Sequence, residues 1–258
     1  MGFVKSYEEL ERIGQEREVY EPYNVEGVTV MWETKPEIVE RLLPPPLKPA
    51  GLPIATAFIG RYPKTNLCPQ YSEGSLSLWA EFNGEEGLYC LALPGTNDMA
   101  MALGRERFGY PKKLANIWFN RAMTYVEGFI ERHGVRFFEL RGRLSSKFRT
   151  EGFQGQVPNE QEFTCYNFKH FLAADGRGFD YNPCLIRVRL IVSTKVAELA
   201  EVRVVLRPSE YDPWSEVEII RMLGAVYVVG NRTTLKGSVE AELDPAAFAP
   251  YSLLKWDW

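Results

Sequence analysis

The sequence predicts an α+β protein that is mainly antiparallel β and closes into a barrel with a few short helices. Strand-like segments outnumber segments with helical spacing, and most connections have hairpin length. The regular strand–helix–strand alternation of parallel sheets is absent. No linker, low-complexity stretch or internal repeat divides the 258 residues. We therefore expect a single domain over residues 1–258, with residues 1–20 as an N-terminal arm.

Periodicity and helix breakers define the first elements. Polar residues with helical spacing around Tyr7–Ile13 belong to the arm, and Val25–Trp32 is predicted to be a strand. Lys35–Leu43 places apolar residues at helical spacing, and the prolines at positions 44–46 end that helix. Ile54–Tyr62 is predicted to be the next strand.

The clearest hairpin lies in the middle of the first half of the chain. Leu76–Phe82 alternates apolar and polar positions, Asn83-Gly84 is typical of a tight turn, and Leu88–Leu93 returns as a strand. A capping side chain between positions 96 and 98 then begins a short helix over Met99–Arg105.

Further strands fill the rest of the chain, and His133-Gly134 is predicted to turn one pair of them. A helix is predicted over Glu216–Leu223. The predicted strands are Trp118–Phe119, Met123–Glu131, Val135–Leu144, Phe163–Phe171, Leu185–Val192, Glu198–Leu206, Ala225–Val229 and Leu235–Leu243.

Composition excludes several classes of function. Lys and Arg number 30 against 34 Asp and Glu, so a net charge of −4 gives no reason to expect nucleic-acid binding or a basic membrane-seeking surface. Four scattered cysteines and two histidines do not form a zinc motif or a disulfide framework, so we expect no metal. Because neither a secretory h-region nor an apolar run of about 20 residues is present, we expect a cytoplasmic protein.

Two adjacent lysines, Lys112 and Lys113, follow Gly109-Tyr-Pro111. A bare lysine pair is typical of a solvated surface. Here, however, the proline fixes the backbone before Lys112 and restricts Tyr110 to extended conformations. In a partly dry site a second ammonium penalises the charged form of the first, which favours a neutral amine able to attack a carbonyl group. The sequence therefore makes Lys112 a candidate nucleophile.

Glu73 is the second candidate residue. It lies in Tyr71-Ser-Glu-Gly74, immediately before the predicted hairpin strand, where a side chain can reach the mouth of a barrel. The same sequence is compatible with a solvated loop glutamate, and local sequence alone favours that alternative.

Several motifs together resemble the acetoacetate decarboxylase family. These are Phe82-Asn-Gly84, Gly104-Arg-Glu106 and Tyr110-Pro-Lys-Lys113, and the spacing from Glu73 to Lys112 fits the family without a gap. Residues 20–47 resemble the family's N-terminal strand and helix, and residues 243–251 loosely resemble its C-terminus. The resemblance covers most of the chain and is weakest around residues 48–70 and 145–215.

The resemblance implies an acetoacetate decarboxylase-like barrel with three catalytic residues. Lys112 matches the lysine that forms the Schiff base, Lys113 the neighbouring cation that favours its neutral form, and Glu73 the active-site glutamate. Acetoacetate decarboxylase is itself a known example of a lysine activated by another cation. Tyr110, which precedes the lysine pair, is a possible substrate-binding residue.

The sequence also departs from the family pattern. An arginine on the family's N-terminal strand is replaced by Val25, and a second acidic residue upstream of the glutamate has no counterpart between Pro53 and Arg61. Arg61 is a possible replacement cation, reaching the pocket from another strand. Tyr251 is a possible additional acid or base, although an aromatic anchor for the C-terminal tail is the simpler interpretation.

We therefore predict a lyase that forms a Schiff base with a small keto acid through Lys112, with acetoacetate-type decarboxylation as the first choice. The alternatives are aldol or dehydration chemistry on pyruvate-like substrates through the same lysine, or a non-catalytic barrel that binds a small carbonyl compound. No cofactor is implied, because nucleotide and metal motifs are missing. The expected partners are a small carbonyl or keto-acid substrate and, as the family implies, further copies of the chain in a homo-oligomer.

Overall fold

Antiparallel hairpins dominate the computed structural model, which describes residues 3–145 and 160–257. The helices are α1 (Tyr7–Glu16), α2 (Pro36–Leu42), α3 (Asp98–Phe108) and α4 (Pro245–Phe248), with 3₁₀ turns at Trp214–Glu216 and Ala249–Lys255. The strands are β1 (Pro22–Tyr23), β2 (Val25–Glu33), β3 (Lys48–Pro49), β4 (Ile54–Tyr62), β5 (Lys64–Thr65), β6 (Tyr71–Phe82), β7 (Glu85–Ala92), β8 (Asn116–Ala122), β9 (Tyr125–Arg132), β10 (Val135–Ser145), β11 (Glu160–Lys169), β12 (Cys184–Leu206), β13 (Arg221–Thr234) and β14 (Ser238–Glu242). The prediction of a mainly antiparallel α+β protein is confirmed.

The pairing of the strands closes a ring. The main sheet runs in the order β11-β7-β6-β4-β2-β13-β12, and β11 also pairs with β12, so the path returns to its start. Strands β10, β9 and β8 extend the sheet beyond β12. Each of these contacts is antiparallel except β11–β7, which is parallel and joins only two residue pairs. Because the ring is closed, each of its strands has a hydrogen-bonded neighbour on both sides over part of its length.

Two predicted hairpin turns are present. Asn83 and Gly84 have φ of 52° and 81°, and His133 and Gly134 have φ of 49° and 76°. Two successive residues with positive φ characterise the turn whose twist matches that of paired strands. The turns therefore join β6 to β7 and β9 to β10 in the two hairpins that the sequence predicts.

Strand β12 joins two segments that the sequence separates. We expected strands at Leu185–Val192 and Glu198–Leu206, but the structure forms one continuous strand of 23 residues. Its pairing with β13 shifts register between Thr194 and Val196. Such a bulge bends a strand without ending it, so the polar residues between the two segments mark a bend and not a loop.

The helix predicted over Glu216–Leu223 is wrong. The backbone forms a short 3₁₀ turn at Trp214–Glu216, and β13 begins at Arg221. Arg221 pairs with Glu33 of β2, and the buried indole of Trp32 donates a hydrogen bond to the Val217 carbonyl at 3.2 Å. Pairing with a strand that is distant in sequence has overridden the local helical spacing.

The interior is filled by large side chains from the ring and from its extension. Trp32, Phe137, Phe138 and Tyr166 are fully buried. In contrast, the arm helix α1 buries none of its residues and begins at a Ser6–Glu9 capping box. Among the residues that the structure describes, no helix combines the length and the apolar character needed to cross a membrane. That residues 1–258 form one domain stays a prediction.

Candidate active site

A buried ion pair joins Lys112 and Glu73. Lys112 lies in the irregular segment after α3, Glu73 lies on β6, and each exposes only 6% of its surface. The Nζ of Lys112 donates a hydrogen bond to Oε2 of Glu73. Glu73 is thus a buried strand residue and not a solvated loop residue.

Two glycines shape the α3 region beside this pair. Gly109 ends the helix with a φ of 77°, in the left-handed region that favours glycine. Within the helix, a Cβ added at Gly104 would lie 2.5 Å from Cε and 2.7 Å from Cδ of Lys112. The side chain of Lys112 therefore passes across α3 at a position where only a hydrogen occupies the helix surface.

Backbone hydrogen bonds hold the lysine segment in an extended conformation. The Leu93 amide donates to the Pro111 carbonyl at 3.2 Å, and the Gly95 amide donates to the Lys113 carbonyl at 3.0 Å. Successive side chains of an extended chain point to opposite sides. Lys112 accordingly points toward Glu73, and Lys113 points to the opposite side of the segment, where its side chain is also largely buried.

Lys112 and Glu73 line a cavity of about 160 Å³. The wall is mostly carbon and includes Phe58, Leu88, Leu93, Leu103, Phe108 and Leu190. Two thiols, Cys90 and Cys165, also face the cavity. Burial raises the pKa of Cys165 to about 11 and also raises that of Cys90, so both remain uncharged thiols at neutral pH.

Four tyrosines complete the wall around the ion pair. The hydroxyl groups of Tyr20 and Tyr71 lie 2.8 Å apart, and the rings of Tyr62 and Tyr71 stack with centroids 4.5 Å apart. The Lys112 Nζ lies 5.6 Å from the centroid of the Tyr71 ring. Burial raises the pKa of each of these phenols, and that of Tyr110, above its ordinary value. The cavity therefore contains neutral phenols as hydrogen-bonding groups.

Arg232 brings a further cation to the cavity from β13. Its Nη1 donates a hydrogen bond to the Tyr62 hydroxyl at 2.6 Å, and its guanidinium lies 4.1 Å from the centroid of the Phe58 ring. Sequence reasoning missed this residue, because Arg232 lies 120 positions beyond Lys112 and meets it only through strand pairing.

Lys113 lies outside this cavity. Its Nζ donates to the Tyr211 carbonyl at 2.7 Å and lies 3.6 Å from Asp212 and 3.1 Å from Asp257. Arg132 bonds both carboxylates as well. The ammonium that was expected to repel the charge of Lys112 is therefore compensated by acidic groups on the opposite side of the segment.

The family model for acetoacetate decarboxylase (ADC) matches residues 9–243. The chain belongs to the acetoacetate decarboxylase family. The match includes Glu73, the lysine segment and Arg232, and it confirms the family that the motifs predict. Membership of this family supports an enzyme.

Similar proteins are known from sequence and from solved structures. The chain is 25% identical over 239 residues to the CLA biosynthesis isomerase of Lactiplantibacillus plantarum, across 87% of this chain and 84% of that protein. It is similar in fold to the acetoacetate decarboxylase of Legionella pneumophila, with a TM-score of 0.77 and 20% identity over 86% and 87% of the two chains. The enduracididine biosynthesis enzyme MppR, in complex with pyruvate, has a TM-score of 0.70 at 18% identity over 87% and 90%.

Two possible site residues from the sequence analysis, Arg61 and Tyr251, do not line the Lys112 cavity. Arg61 is half-exposed and pairs with Glu26 at 2.5 Å, and it is not part of the wall of the Lys112 cavity. Tyr251 packs against Phe248, with ring centroids 6.4 Å apart, in a separate and much smaller space. The anchoring interpretation thus fits Tyr251 better than a place beside Lys112. Tyr110 does line the cavity, as expected.

Val25, which the resemblance places at the position of the family's arginine, is buried in this chain. Val25 packs with Phe58 and Tyr62 in a small cluster beside the cavity. The sequence analysis did not single out Tyr20, Tyr62 or Tyr71 as site residues. A signal for Tyr71 was available in the sequence, since Tyr71 precedes Glu73 by two residues and shares its face of the strand.

Across residues 3–145 and 160–257, no group of three or more His, Cys, Asp or Glu side chains is arranged to hold a metal ion.

Proposed function

We propose that this protein is a lyase that forms a Schiff base between Lys112 and a small keto acid, with decarboxylation as its reaction. The observation that carries the proposal is the burial of the Lys112 amine against Glu73 at the wall of an apolar cavity of about 160 Å³. This is smaller than the roughly 300–1,000 Å³ of sites for drug-sized ligands, which favours a small substrate.

In this proposal Glu73 prepares the nucleophile. Transfer of one proton from the Lys112 ammonium to the Glu73 carboxylate leaves a neutral amine beside a neutral acid, which removes both charges from the apolar wall. The amine then attacks the ketone carbon, and loss of the carbonyl oxygen as water gives a protonated imine. Glu73 can return its proton to that departing oxygen.

The imine then accepts the electrons released from the substrate. When the bond to the β-carboxylate breaks, its electron pair moves toward the positively charged nitrogen, carbon dioxide leaves, and an enamine remains. Protonation of the enamine carbon restores an imine, and water releases the ketone and the free amine. Each step keeps the nitrogen of Lys112 as the only covalent attachment.

Isomerisation is a second candidate, supported by the relative that aligns over most of the chain. The CLA biosynthesis isomerase matches 87% of this sequence. The same imine can lose a proton from a neighbouring carbon and regain one at another position, with no carbon–carbon bond broken. The structure of MppR with pyruvate likewise keeps pyruvate-type aldol or dehydration chemistry among the reactions to test.

Borohydride reduction tests the shared step. The protein is incubated with acetoacetate, reduced, digested, and analysed by mass spectrometry. We expect an isopropyl adduct on the peptide that contains Lys112, because carbon dioxide leaves before the imine is reduced. An adduct that keeps the carboxylate would indicate imine formation without decarboxylation and favour the second candidate.

Two variants make the experiment specific. Lys112→Arg keeps a cation for Glu73 and should abolish the adduct. Lys255→Arg is the matched control, because Lys255 is also buried and its pKa is lowered to about 7 by burial and by nearby Arg105 and Lys169. An adduct that persists in Lys112→Arg and disappears in Lys255→Arg would contradict the proposal. Absence of any adduct with acetoacetate and pyruvate would favour a non-catalytic binding protein.

A further inference from the structure

Among the residues that the structure describes, Arg232 is the one cation of the cavity wall that forms no ion pair with a carboxylate. Within the described part of the chain it forms no ion pair, and Glu73, the carboxylate of the wall, is bonded to Lys112. Lys112 and Glu73 compensate each other whichever of them holds the proton. The wall therefore keeps one uncompensated positive charge, and this charge is on Arg232.

The surroundings of Arg232 orient its guanidinium and leave donors available. The Tyr62 hydroxyl accepts from Nη1 at 2.6 Å, and the Phe58 ring supports the guanidinium at 4.1 Å. A guanidinium carries five N–H donors in a rigid fork that matches a carboxylate. No other hydrogen bond of this guanidinium is present among residues 3–145 and 160–257. A carboxylate that enters the cavity thus meets a charged donor already held in place.

Strand pairing relates Arg232 to the family position at Val25. Val25 of β2 lies opposite Gly230 of β13, and Arg232 follows Gly230 by two residues. Directly paired residues share a face of the sheet, and residues two apart along a strand share it too. Arg232 therefore projects from the same face as Val25, one strand away.

We propose that Arg232 is the specificity-determining residue that binds the carboxylate of the keto-acid substrate while Lys112 attacks its ketone. This inference rests on the proposed Schiff-base function. A charge-assisted hydrogen bond in a mostly apolar cavity is stronger than one in water, so Arg232 selects ketones that carry a carboxylate over neutral ketones of the same size.

The test compares two probes of matched shape. Pyruvate and 3-methylbutan-2-one have the same number of non-hydrogen atoms, and an isopropyl group replaces the carboxylate. The concentration of each that gives half-maximal borohydride trapping at Lys112 is measured for the unmodified protein and for Arg232→Met, which retains the length and apolar stem of the side chain. Arg221→Met is the control on the same strand, because Arg221 pairs with Glu33 at the surface.

We expect Arg232→Met to raise the half-maximal concentration of pyruvate about 10- to 100-fold, the effect of losing a hydrogen bond to a charged group. The value for 3-methylbutan-2-one should change less than about twofold, since this probe makes no such bond. Arg232→Lys should recover part of the pyruvate preference, and Arg221→Met should change neither value.

The failures of the two proposals are distinguishable. Unchanged pyruvate trapping in Arg232→Met, or an equal loss for both probes, would overturn the role of Arg232 and leave the Schiff base standing. No trapping of either probe by the unmodified protein would overturn the Schiff base and, with it, this inference. If Arg232→Met does not fold, Tyr62→Phe replaces it, since loss of the orienting hydroxyl should weaken pyruvate trapping while the neutral ketone is still trapped.

Discussion

The ammonium of Lys113 lies between Asp212 and Asp257, and Arg132 joins the same two carboxylates. Lys113 and the side chain of Asp212 are largely buried, and the cluster connects the lysine segment to the last described residues of the chain. A cation compensated in this way exerts little repulsion on a neighbour. We therefore expect Lys113 to contribute to stability, and its predicted tuning of Lys112 stays a prediction.

Lys113→Met tests this assignment. We expect the pH at which half of Lys112 is trapped with pyruvate and borohydride to remain within about 0.3 units of that of the unmodified protein, because Lys113 contributes little repulsion. The free energy of unfolding should fall by roughly 1–3 kcal/mol, since an ion pair is lost while Arg132 still compensates the carboxylates. Urea unfolding measures the second effect. A rise of a full pH unit in the trapping profile would restore the like-charge mechanism.

At the scale of elements, helix α3 acts as the support along which Lys112 reaches Glu73. Its first turn is capped by Asn97, whose side chain accepts from the Ala100 amide at 2.9 Å, and its last residue is followed by Gly109 in the left-handed conformation. Between these caps, Gly104 provides the gap for the lysine stem. A glycine that costs helix stability is thus retained where the lysine crosses the helix.

Gly104→Ala separates the effect of Gly104 on helix stability from its effect on the path of the Lys112 side chain. In a helix interior, alanine is favoured over glycine by about 1 kcal/mol, so the free energy of unfolding should fall little or even rise. The added methyl would displace the flexible end of Lys112, so we expect the rate of trapping with pyruvate to fall at least tenfold. Ala102→Gly, in the same helix, is the reverse control for helix propensity. Full trapping activity in Gly104→Ala would show that the lysine reaches the cavity by another path.

Local signals were sufficient for most elements, and non-local contacts explain the exceptions. The Asn83-Gly84 turn and the strand Ile54–Tyr62 are found as predicted, because turn chemistry and alternation are local properties. The helix predicted at Glu216–Leu223 fails because pairing with β2 is stronger than local spacing. Lys112, Glu73 and Tyr110 were found through a motif and its spacing. Arg232 was not, because strand register brings it to the cavity and no short sequence pattern records that register.

At the scale of the whole molecule, stability is expected to depend on the charge of one buried lysine. Lys255 exposes 8% of its surface, and its Nζ donates to the His170 carbonyl at 3.4 Å. Burial, with Arg105 and Lys169 nearby, lowers the pKa of Lys255 to about 7. Between pH 7 and the ordinary lysine value of about 10.4, the unfolded chain therefore binds one proton more than the folded chain.

A folded-state pKa below the unfolded one means that this contribution to stability increases as the pH rises through that window. We expect the free energy of unfolding of the unmodified protein, relative to Lys255→Met, to rise by roughly 1.4 kcal/mol per pH unit between pH 7.5 and 9.5. Urea unfolding at several pH values measures the difference, in which the titration of other groups cancels. A flat difference across the window would mean that Lys255 remains charged in the folded protein.

The expected homo-oligomer stays a prediction.

Within the described part of the chain, only two residue pairs join β11 to β7, namely Cys165 with Leu88 and Tyr166 with Tyr89. Every other pair of neighbouring strands in the ring is joined by a longer ladder. We therefore expect the β11–β7 pairing to open first when the native protein fluctuates. Hydrogen exchange should then be fastest, among the ring strands, at the backbone amides of this pairing. Cys165 and Leu88 also form part of the wall around Lys112. The shortest ladder of the ring thus lies beside the cavity, and we expect local opening between β11 and β7 to expose Lys112 to small molecules from solvent.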